Sequence, residues 1–405
     1  MKENIPYKRP LVIGTGGGND IVSACLIVAD LKNKGIAADV AGVCSPGAWH
    51  VYNEDSLDAE DSINLVTPSA RRFIPTKSSI NLSFIDAEIP NLLRREGLAS
   101  DVYNLSCRHG TSELISGLNY LISQKGYDGI IAVDVGGDIL ARGKKDPTIL
   151  SPLMDFTTLY CLSQINIPSV LIEFGLQTDG ELRPRGCAEI LDDARTHGIM
   201  LAEDEIKLND EPVQTFKRIY EGVNHIRRGN TAVMTLKTLE SKEDLHEDYR
   251  FRIRVLDKPA TYGFPITLES KYFGKVFLMD LKKLAETREL AFPYRNTLEL
   301  FLKTKQVVDT KTEMDLLYNR DSGVCLWLAM TGPQIQGEQR EDLLNYGLDN
   351  LAQQADAALL WKEDAENKKI RRLRYASDVD NFVITGLEKN KIEKVEQEIR
   401  RLKHD

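Results

Sequence analysis

The first two hundred residues alternate short, continuously apolar segments with amphipathic ones, and this alternation restricts the possible folds more than any other feature. Strands are predicted at residues 11–13, 40–44, 130–133 and 170–172. Helices are predicted at residues 21–31, 112–123 and 152–164. Strands that are apolar throughout are typical of parallel sheets buried on both faces. We therefore predict an α/β fold over residues 8–235, with a doubly wound, mostly parallel Rossmann-like sheet.

The pattern changes after residue 235. Residues 249–256 alternate apolar residues with arginines, which indicates an antiparallel strand with one buried face. We predict that residues 236–320 continue the first domain as an α+β segment. Residues 321–405 are predicted to form a largely helical C-terminal extension, with helices at residues 337–364 and 387–402.

Composition and charge exclude several classes of function. The chain has 61 acidic and 52 basic residues, so its net charge of −9 argues against a nucleic-acid partner. No apolar run approaches the roughly 18 residues of a membrane span, and the first ten residues lack a signal-peptide core. The six cysteines form no C-x-x-C pair, as expected of reduced thiols in the cytoplasm. A homo-oligomer is compatible with the sequence.

A glycine-rich turn joins the first predicted strand to the first helix. Its residues are Gly14, Thr15, Gly16, Gly17, Gly18 and Asn19. Such a turn exposes backbone N–H groups at the positive end of a helix dipole, where phosphate binds. The alternative is a tight turn that needs glycine for conformational reasons only. The dinucleotide fingerprint fits poorly, because its third glycine falls on Asn19 and no acid ends the second strand.

Asp20 follows this turn in the first turn of the helix. A carboxylate there often caps the helix and interacts with its dipole. Beside a bound phosphate it would be repelled unless a cation lay between them. Asp20 and the glycine turn together therefore predict a site for a metal ion and a phosphate.

A second group of residues ends the strand predicted at 130–133. Asp134 is followed by Gly136, Gly137 and Asp138. Ligands of open parallel sheets bind beyond the carboxyl ends of the strands, and a buried carboxylate needs a cation, a hydrogen-bond partner or a raised pKa. A structural turn is the alternative. Arg142 is a candidate for holding phosphate or for offsetting charge, although a surface arginine is equally compatible.

Two further acids lie near predicted strand and helix ends. Asp155 is in the first turn of the helix predicted at 152–164, one residue past the position that capping would explain. Gly175 and Asp179 follow the strand at 170–172, where Asp179-Gly180 also fits an ordinary turn.

These glycines and carboxylates are predicted to meet at one edge of the sheet. Carboxylate oxygens favour hard cations, so the predicted cofactor is Mg²⁺ or Mn²⁺. We predict Asp20, Asp134 and Asp138 as metal ligands, and Asp155 and Asp179 as catalytic groups that position or deprotonate water. The predicted phosphate- or nucleotide-binding residues are Gly14, Thr15, Gly16, Gly17, Gly18, Asn19, Gly136, Gly137, Arg142 and Gly175.

The motifs resemble those of a family designated the domain of unknown function 1152. The matching segments are residues 16–20, 134–138, 151–155, 179–182 and 312–315. The likeness covers roughly residues 8–320, and the sequence departs from it at Asn19 and at residues 174–178. The resemblance implies the fold but no reaction, so the chemistry depends on the residues themselves.

Three functions are compatible with the sequence. The first is a metal-dependent enzyme that hydrolyses, or transfers a phosphoryl group from, a phosphorylated metabolite or nucleotide. The second is an NAD(P)-dependent enzyme with a degenerate Rossmann turn. The third is a non-catalytic nucleotide or ligand sensor, or a scaffold, whose C-terminal extension recruits partners.

Overall fold

The described part of the chain contains sixteen strands and eight α-helices. The computed structural model describes residues 6–16, 20–43, 63–65, 74–75, 81–82, 88–98, 100–105, 110–146, 149, 152–224, 230–255, 258–294, 316–319, 324–327, 359–360 and 382–385. The strands are β1 (Pro10–Gly14), β2 (Asp39–Val43), β3 (Ile63–Leu65), β4 (Ile74–Pro75), β5 (Asn81–Leu82), β6 (Val102–Leu105), β7 (Gly129–Val135), β8 (Ser169–Phe174), β9 (Met200–Glu205), β10 (Leu245–Val255), β11 (Lys258–Leu268), β12 (Lys275–Asp280), β13 (Leu316–Asn319), β14 (Val324–Trp327), β15 (Leu359–Leu360) and β16 (Phe382–Thr385). The helices are α1 (Asp20–Asn33), α2 (Ile89–Arg95), α3 (Thr111–Lys125), α4 (Pro152–Ser163), α5 (Pro184–Thr196), α6 (Glu211–Val223), α7 (Asn230–Glu240) and α8 (Leu281–Glu286).

The main sheet has eight strands in the order β3-β6-β2-β1-β7-β8-β12-β9. Its five central strands, from β6 to β8, are all parallel. The strands outside them, β3 on one side and β12 and β9 on the other, pair antiparallel. The predicted α/β class with a mostly parallel, Rossmann-like sheet is therefore confirmed.

The strand order reverses between β1 and β7. From β1 the chain moves outward through β2 to β6, then returns to place β7 on the other side of β1 and β8 beyond it. Taken in chain order, the five parallel strands have the arrangement 3-2-1-4-5. In such sheets the crevice at the reversal, beyond the carboxyl ends of the strands, is where ligands bind. The carboxyl ends of β1 and β7 therefore mark the expected site.

Apolar residues on both faces explain why the central strands are buried. All five residues of β1 and all seven of β7 are buried. Helix α1 packs on β1, β2 and β7 and is itself covered by α6, so that its residues from Ile21 to Leu31 are all buried. A second group of helices, α3, α4 and α8, packs together, with α8 against β8. This burial follows from the continuous apolar runs of the sequence.

Strand β12 connects the segment after residue 235 to the main sheet. It lies between β8 and β9, and its side chains Val276, Phe277 and Met279 are at most 3% exposed. Strand β12, which belongs to this later segment, thus completes the core of the main sheet. The antiparallel pattern predicted at residues 249–256 corresponds to β10, which pairs with β11 along its full length.

The described residues of the C-terminal extension lie in strands. Strands β13, β14, β16 and β15 form a four-stranded antiparallel sheet. The helix predicted at 337–364 is wrong at Leu359 and Leu360, which pair with β16. A short apolar run fits a buried strand or a buried helix equally well, so periodicity alone did not distinguish them. The other residues of that helix, and the helix predicted at 387–402, lie outside the described residues.

Within the described residues, no helix combines the length and apolar character needed to cross a membrane.

Candidate functional site

The turn after β1 brings Asp20 back against the strand end. The Gly16 N–H donates a hydrogen bond to Asp20 Oδ2 at 2.6 Å. A methyl group at Gly16 would overlap Asp20 Oδ2 and lie 2.9 Å from Asp155 Oδ1. A methyl group at Gly14 would overlap backbone atoms of Asp20 and Ile21 at the start of α1. The glycines at these two positions therefore allow close approach of backbone and carboxylates. Gly17, Gly18 and Asn19 lie outside the described residues.

Three carboxylates converge at this point, and we call Asp20, Asp134 and Asp155 the carboxylate triad. Asp20 begins α1, Asp134 is near the end of β7, and Asp155 is in the first turn of α4. One oxygen from each lies within 4.8 Å of the others. Asp134 and Asp155 are 1% and 4% exposed, and Asp20 is half-buried. Three oxygen donors at this spacing suit a hard divalent cation.

Thr15 and Thr158 hold the elements of the triad together. The Thr15 N–H donates to the Val133 carbonyl at 3.0 Å, which fixes the β1 end beside β7. Its hydroxyl lies 3.3 Å from both Asp134 Oδ1 and Asp155 Oδ1. The Thr158 hydroxyl lies 3.0 Å from the Thr15 carbonyl and 2.8 Å from the Met154 carbonyl, so it links α4 to the turn. The triad is therefore supported by neighbouring hydroxyl groups, as metal ligands usually are.

Four more buried acids surround the triad. Asp138, Asp179 and Glu181 are 7%, 9% and 7% exposed, and Glu173 is fully buried. Together with the triad they form what we call the acidic site. Its seven members are Asp20, Asp134, Asp138, Asp155, Glu173, Asp179 and Glu181.

Backbone turns place these additional acids. Gly136 and Gly137 have φ angles of 125° and 102°, which favour glycine, and they turn the chain from β7 to Asp138. A methyl group at Gly136 would overlap the Asp179 carboxylate. Gln177 is buried with a φ of 75°, and its N–H donates to the Gly136 carbonyl at 2.7 Å. The turn after β8 is thereby held against the turn after β7.

Some carboxylate oxygens in the acidic site lack hydrogen-bond donors. Among the described residues, Asp179 Oδ2 and both oxygens of Glu173 are buried with no partner at normal geometry. Asp179 Oδ1 accepts a hydrogen bond from the Glu181 N–H at 2.9 Å. Glu173 is paired with Asp134 across β8 and β7, which puts one carboxyl group beside the other. Buried oxygens without donors are costly, so a compensating positive charge or proton is expected.

Burial and mutual repulsion perturb the acids in the same direction. Burial, followed by the negative charges of neighbouring acids, raises the pKa of Asp138 and Asp155 well above the ordinary value of 3.8. Burial and the charge of Glu181 raise the pKa of Asp179 well above that value, and burial and Asp134 do the same to the pKa of Glu173. Burial also raises the pKa of Asp134, although the neighbouring Glu173 carboxyl group, followed by hydrogen bonds from Gly137 and Thr15, favours its charged form. Raised values of this kind cluster at functional sites.

The structure brings most of the predicted residues together. Asp20 and Asp134, predicted as metal ligands, are in the triad, whereas the third member is Asp155, which we predicted as a catalytic group. Asp138 lies beside them, with its Oδ1 accepting from the Ile139 N–H at 3.0 Å. Gly175, with a φ of 63°, begins the turn that leads to Asp179.

Arg142 forms ion pairs with two acidic residues, Asp146 and Glu189. Its Nε and Nη2 lie 3.0 and 2.8 Å from the two Asp146 carboxylate oxygens, and Nη2 also lies 3.1 Å from Glu189. A phosphate at Arg142 would have to replace one of these ion pairs. The predicted phosphate-binding role of Arg142 stays a prediction.

Two acids of the site were not predicted from the sequence. Glu173 lies near the end of β8, and the only sequence signal was a charged residue between apolar ones. Glu181 follows a turn and resembles any surface acid. Their burial is visible only once the turns after β7 and β8 are packed together.

The sequence profile of the family described as Protein of unknown function (DUF1152) matches residues 11–227. The match covers the turn after β1 and the whole acidic site, and it ends within the 8–320 range of the predicted resemblance. Neither the curated proteins nor the solved structures contain a match to this chain. On the strength of the profile, which spans more than half of its length, the chain belongs to the DUF1152 family.

Proposed function

We propose that the chain is a metal-dependent enzyme that acts on a phosphorylated metabolite or nucleotide by hydrolysis or phosphoryl transfer. The observation that carries the proposal is the carboxylate triad at the strand-order reversal, where Asp20, Asp134 and Asp155 each offer an oxygen within 4.8 Å of the others. Bound there, Mg²⁺ or Mn²⁺ would polarise a phosphoryl oxygen or lower the pKa of a water molecule.

The protein groups have distinct tasks under this proposal. Asp20, Asp134 and Asp155 hold the cation, and Thr15 orients two of these carboxylates. The N-terminus of α1 presents its dipole to the same place, which favours a phosphate group of the substrate. Asp179, which has a buried oxygen without a partner at normal geometry, accepts a hydrogen bond from the attacking water.

A ligand screen tests the proposal. We expect nucleotides or sugar phosphates to raise the melting temperature of the protein only when Mg²⁺ or Mn²⁺ is also present. Phosphate release or transfer should then be measurable with the compounds that stabilise the protein.

Two isosteric variants make the screen specific. Asp134→Asn should lower the activity by more than about 100-fold, since loss of even a group supporting a metal ligand costs about 10- to 100-fold. Asp192, whose side chain is 77% exposed, provides the control: Asp192→Asn should have the activity of the unaltered protein. Stabilisation by NAD(P) without metal would contradict the proposal, and so would binding of phosphorylated compounds without turnover.

A further inference from the structure

Gln177 has a backbone conformation that residues with a side chain rarely adopt. Its φ angle is 75°, and among the described residues other than glycine it is the only one with a positive φ angle. Gly175 and Gly180, with φ angles of 63° and 79°, lie in the same turn. A glycine would adopt the conformation of Gln177 without strain. A glutamine held at such a position indicates that its side chain has a task.

The side chain of Gln177 is fully buried and contacts Glu269 at two points. Its Oε1 accepts a hydrogen bond from the Glu269 N–H at 2.9 Å, and its Nε2 donates to Glu269 Oε2 at 3.3 Å. Glu269 directly follows β11, and its Oε1 lies 2.9 Å from Lys271 Nζ. The conformation of Gln177 therefore depends on a residue that lies beyond residues 11–227, the range matched by the family profile.

The backbone of Gln177 joins two turns of the acidic site. Its N–H donates to the Gly136 carbonyl at 2.7 Å, and its carbonyl accepts from the Gly180 N–H at 2.9 Å. The first bond reaches the turn after β7, and the second closes the turn that contains Asp179. The Asp179 carboxylate lies against Gly136, where an added methyl group would overlap it. The position of Asp179 relative to β7 therefore depends on Gln177.

We propose that Gln177 is a positioning residue, which fixes Asp179 against the turn after β7 and is itself fixed by Glu269. The inference rests on the proposed function, in which Asp179 accepts a hydrogen bond from the attacking water. A small misplacement of such a group can lower a rate about 100-fold. Glu269 would thereby couple the acidic site to the end of β11.

Hydrogen–deuterium exchange of the full chain, read by mass spectrometry on peptides that cover residues 175–182, measures how firmly the turn is fixed. In Gln177→Ala we expect this segment to exchange about 10-fold faster, which is the effect of losing about one hydrogen bond. Glu269→Ala should act in the same direction, and the double variant should exchange no faster than Gln177→Ala, because both substitutions remove the same contact.

Two further variants serve as controls. Glu269→Gln keeps an oxygen that accepts from Gln177 Nε2, so its turn should exchange as slowly as in the unaltered chain. Gln164→Ala removes an exposed glutamine and should have no effect on the turn. Circular dichroism checks that each variant is folded.

Two measurements distinguish positioning from a structural role alone. The first is kcat for the phosphorylated compound that gives the largest melting-temperature shift in the ligand screen, and the second is Mn²⁺ affinity by calorimetry. Gln177→Ala should lower kcat about 10- to 100-fold. It should leave the Mn²⁺ affinity unchanged, since Asp179 lies outside the triad.

The possible results lead to different conclusions. An unchanged kcat in Gln177→Ala would overturn the positioning role and leave the proposed function standing. A loss of Mn²⁺ affinity equal to the loss of kcat would also overturn it, because Gln177 would then act on the triad. If the unaltered chain neither binds Mn²⁺ nor acts on any compound, the proposed function is wrong, whereas faster exchange in both alanine variants would still support the fixing of the turn by Gln177.

Discussion

At the scale of one residue, Glu173 illustrates how a buried carboxylate of the acidic site lowers the stability of the folded chain. It is fully buried, its two oxygens have no donor at normal geometry among the described residues, and its neighbour across the strands is Asp134. Burial, followed by the charge of Asp134, raises the pKa of Glu173 well above its ordinary value. Such a group is retained at a cost in stability, as is common where function requires it.

Removing that charge should stabilise the metal-free protein. Glu173→Gln keeps the shape of the side chain, and we expect it to raise the free energy of unfolding at pH 8 by about 1–3 kcal/mol, since one unit of pKa shift corresponds to about 1.4 kcal/mol. Urea unfolding in the presence of a chelator measures the change. The exposed Glu243→Gln should change stability by less than about 0.5 kcal/mol. A Glu173→Gln protein less stable than the parent would show that the carboxylate is well compensated without metal.

The sequence predicted the residues of the site better than their arrangement. Asp20 and Asp134 were identifiable because each lies beside glycine at a strand end, which is a local signal. Asp155 was assigned a different role, since its place in the triad depends on how α4 packs over the end of β1 through Thr158. That contact joins residues 143 positions apart, and no local pattern encodes it.

At the scale of elements, the buried parallel strands were predictable and the edges of the sheet were not. Strands β1, β2, β7 and β8 have continuous apolar runs that indicate burial on both faces. Strand β9 was missed because Met200–Glu205 contains three acids and its residues alternate between exposed and half-buried. The antiparallel placement of β12 could not be predicted, because pairing with β8 and β9 joins residues about 70–110 positions apart in the chain.

Strand β12 should therefore contribute to the stability of the whole sheet. Phe277 is 2% exposed between β8 and β9, so Phe277→Ala is expected to lower the free energy of unfolding by about 3–5 kcal/mol. Urea unfolding followed by circular dichroism gives the value. Tyr120→Ala, which removes an aromatic ring 49% exposed on α3, should cost less than about 1 kcal/mol. Similar small effects of both substitutions would mean that residues 275–280 are not part of the main core.

At the scale of the whole molecule, the acidic site links folding stability to pH and to metal ions. Asp138, Asp155, Glu173 and Asp179 all have raised pKa values in the folded chain. Between the ordinary value near 4 and those raised values, the folded state holds more protons than the unfolded chain. The contribution of these groups to the free energy of unfolding is therefore fully present below about pH 4. It is lost as the pH rises through their pKa values in the folded chain.

This coupling predicts the effect of pH with and without metal. From pH 5.5 to pH 8 the free energy of unfolding of the metal-free protein should fall, by up to about 1.4 kcal/mol per pH unit for each proton involved. Mn²⁺ binds the deprotonated carboxylates, so it should stabilise the protein more at pH 8 than at pH 5.5. Urea unfolding at both pH values, with chelator or with Mn²⁺, gives the four numbers needed. In Glu173→Gln the free energy of unfolding should fall less between pH 5.5 and pH 8 than in the parent protein. A free energy of unfolding that rises with pH in the metal-free parent would contradict this coupling.

The central claim is that the end of the sheet between β1 and β7 is a metal site, and a crystal of the protein soaked in Mn²⁺ tests it most directly. We expect an anomalous difference peak within about 2.5 Å of carboxylate oxygens of Asp20, Asp134 and Asp155. A map from a fully soaked crystal with no peak at these three residues, or with Mn²⁺ bound only elsewhere, would contradict it.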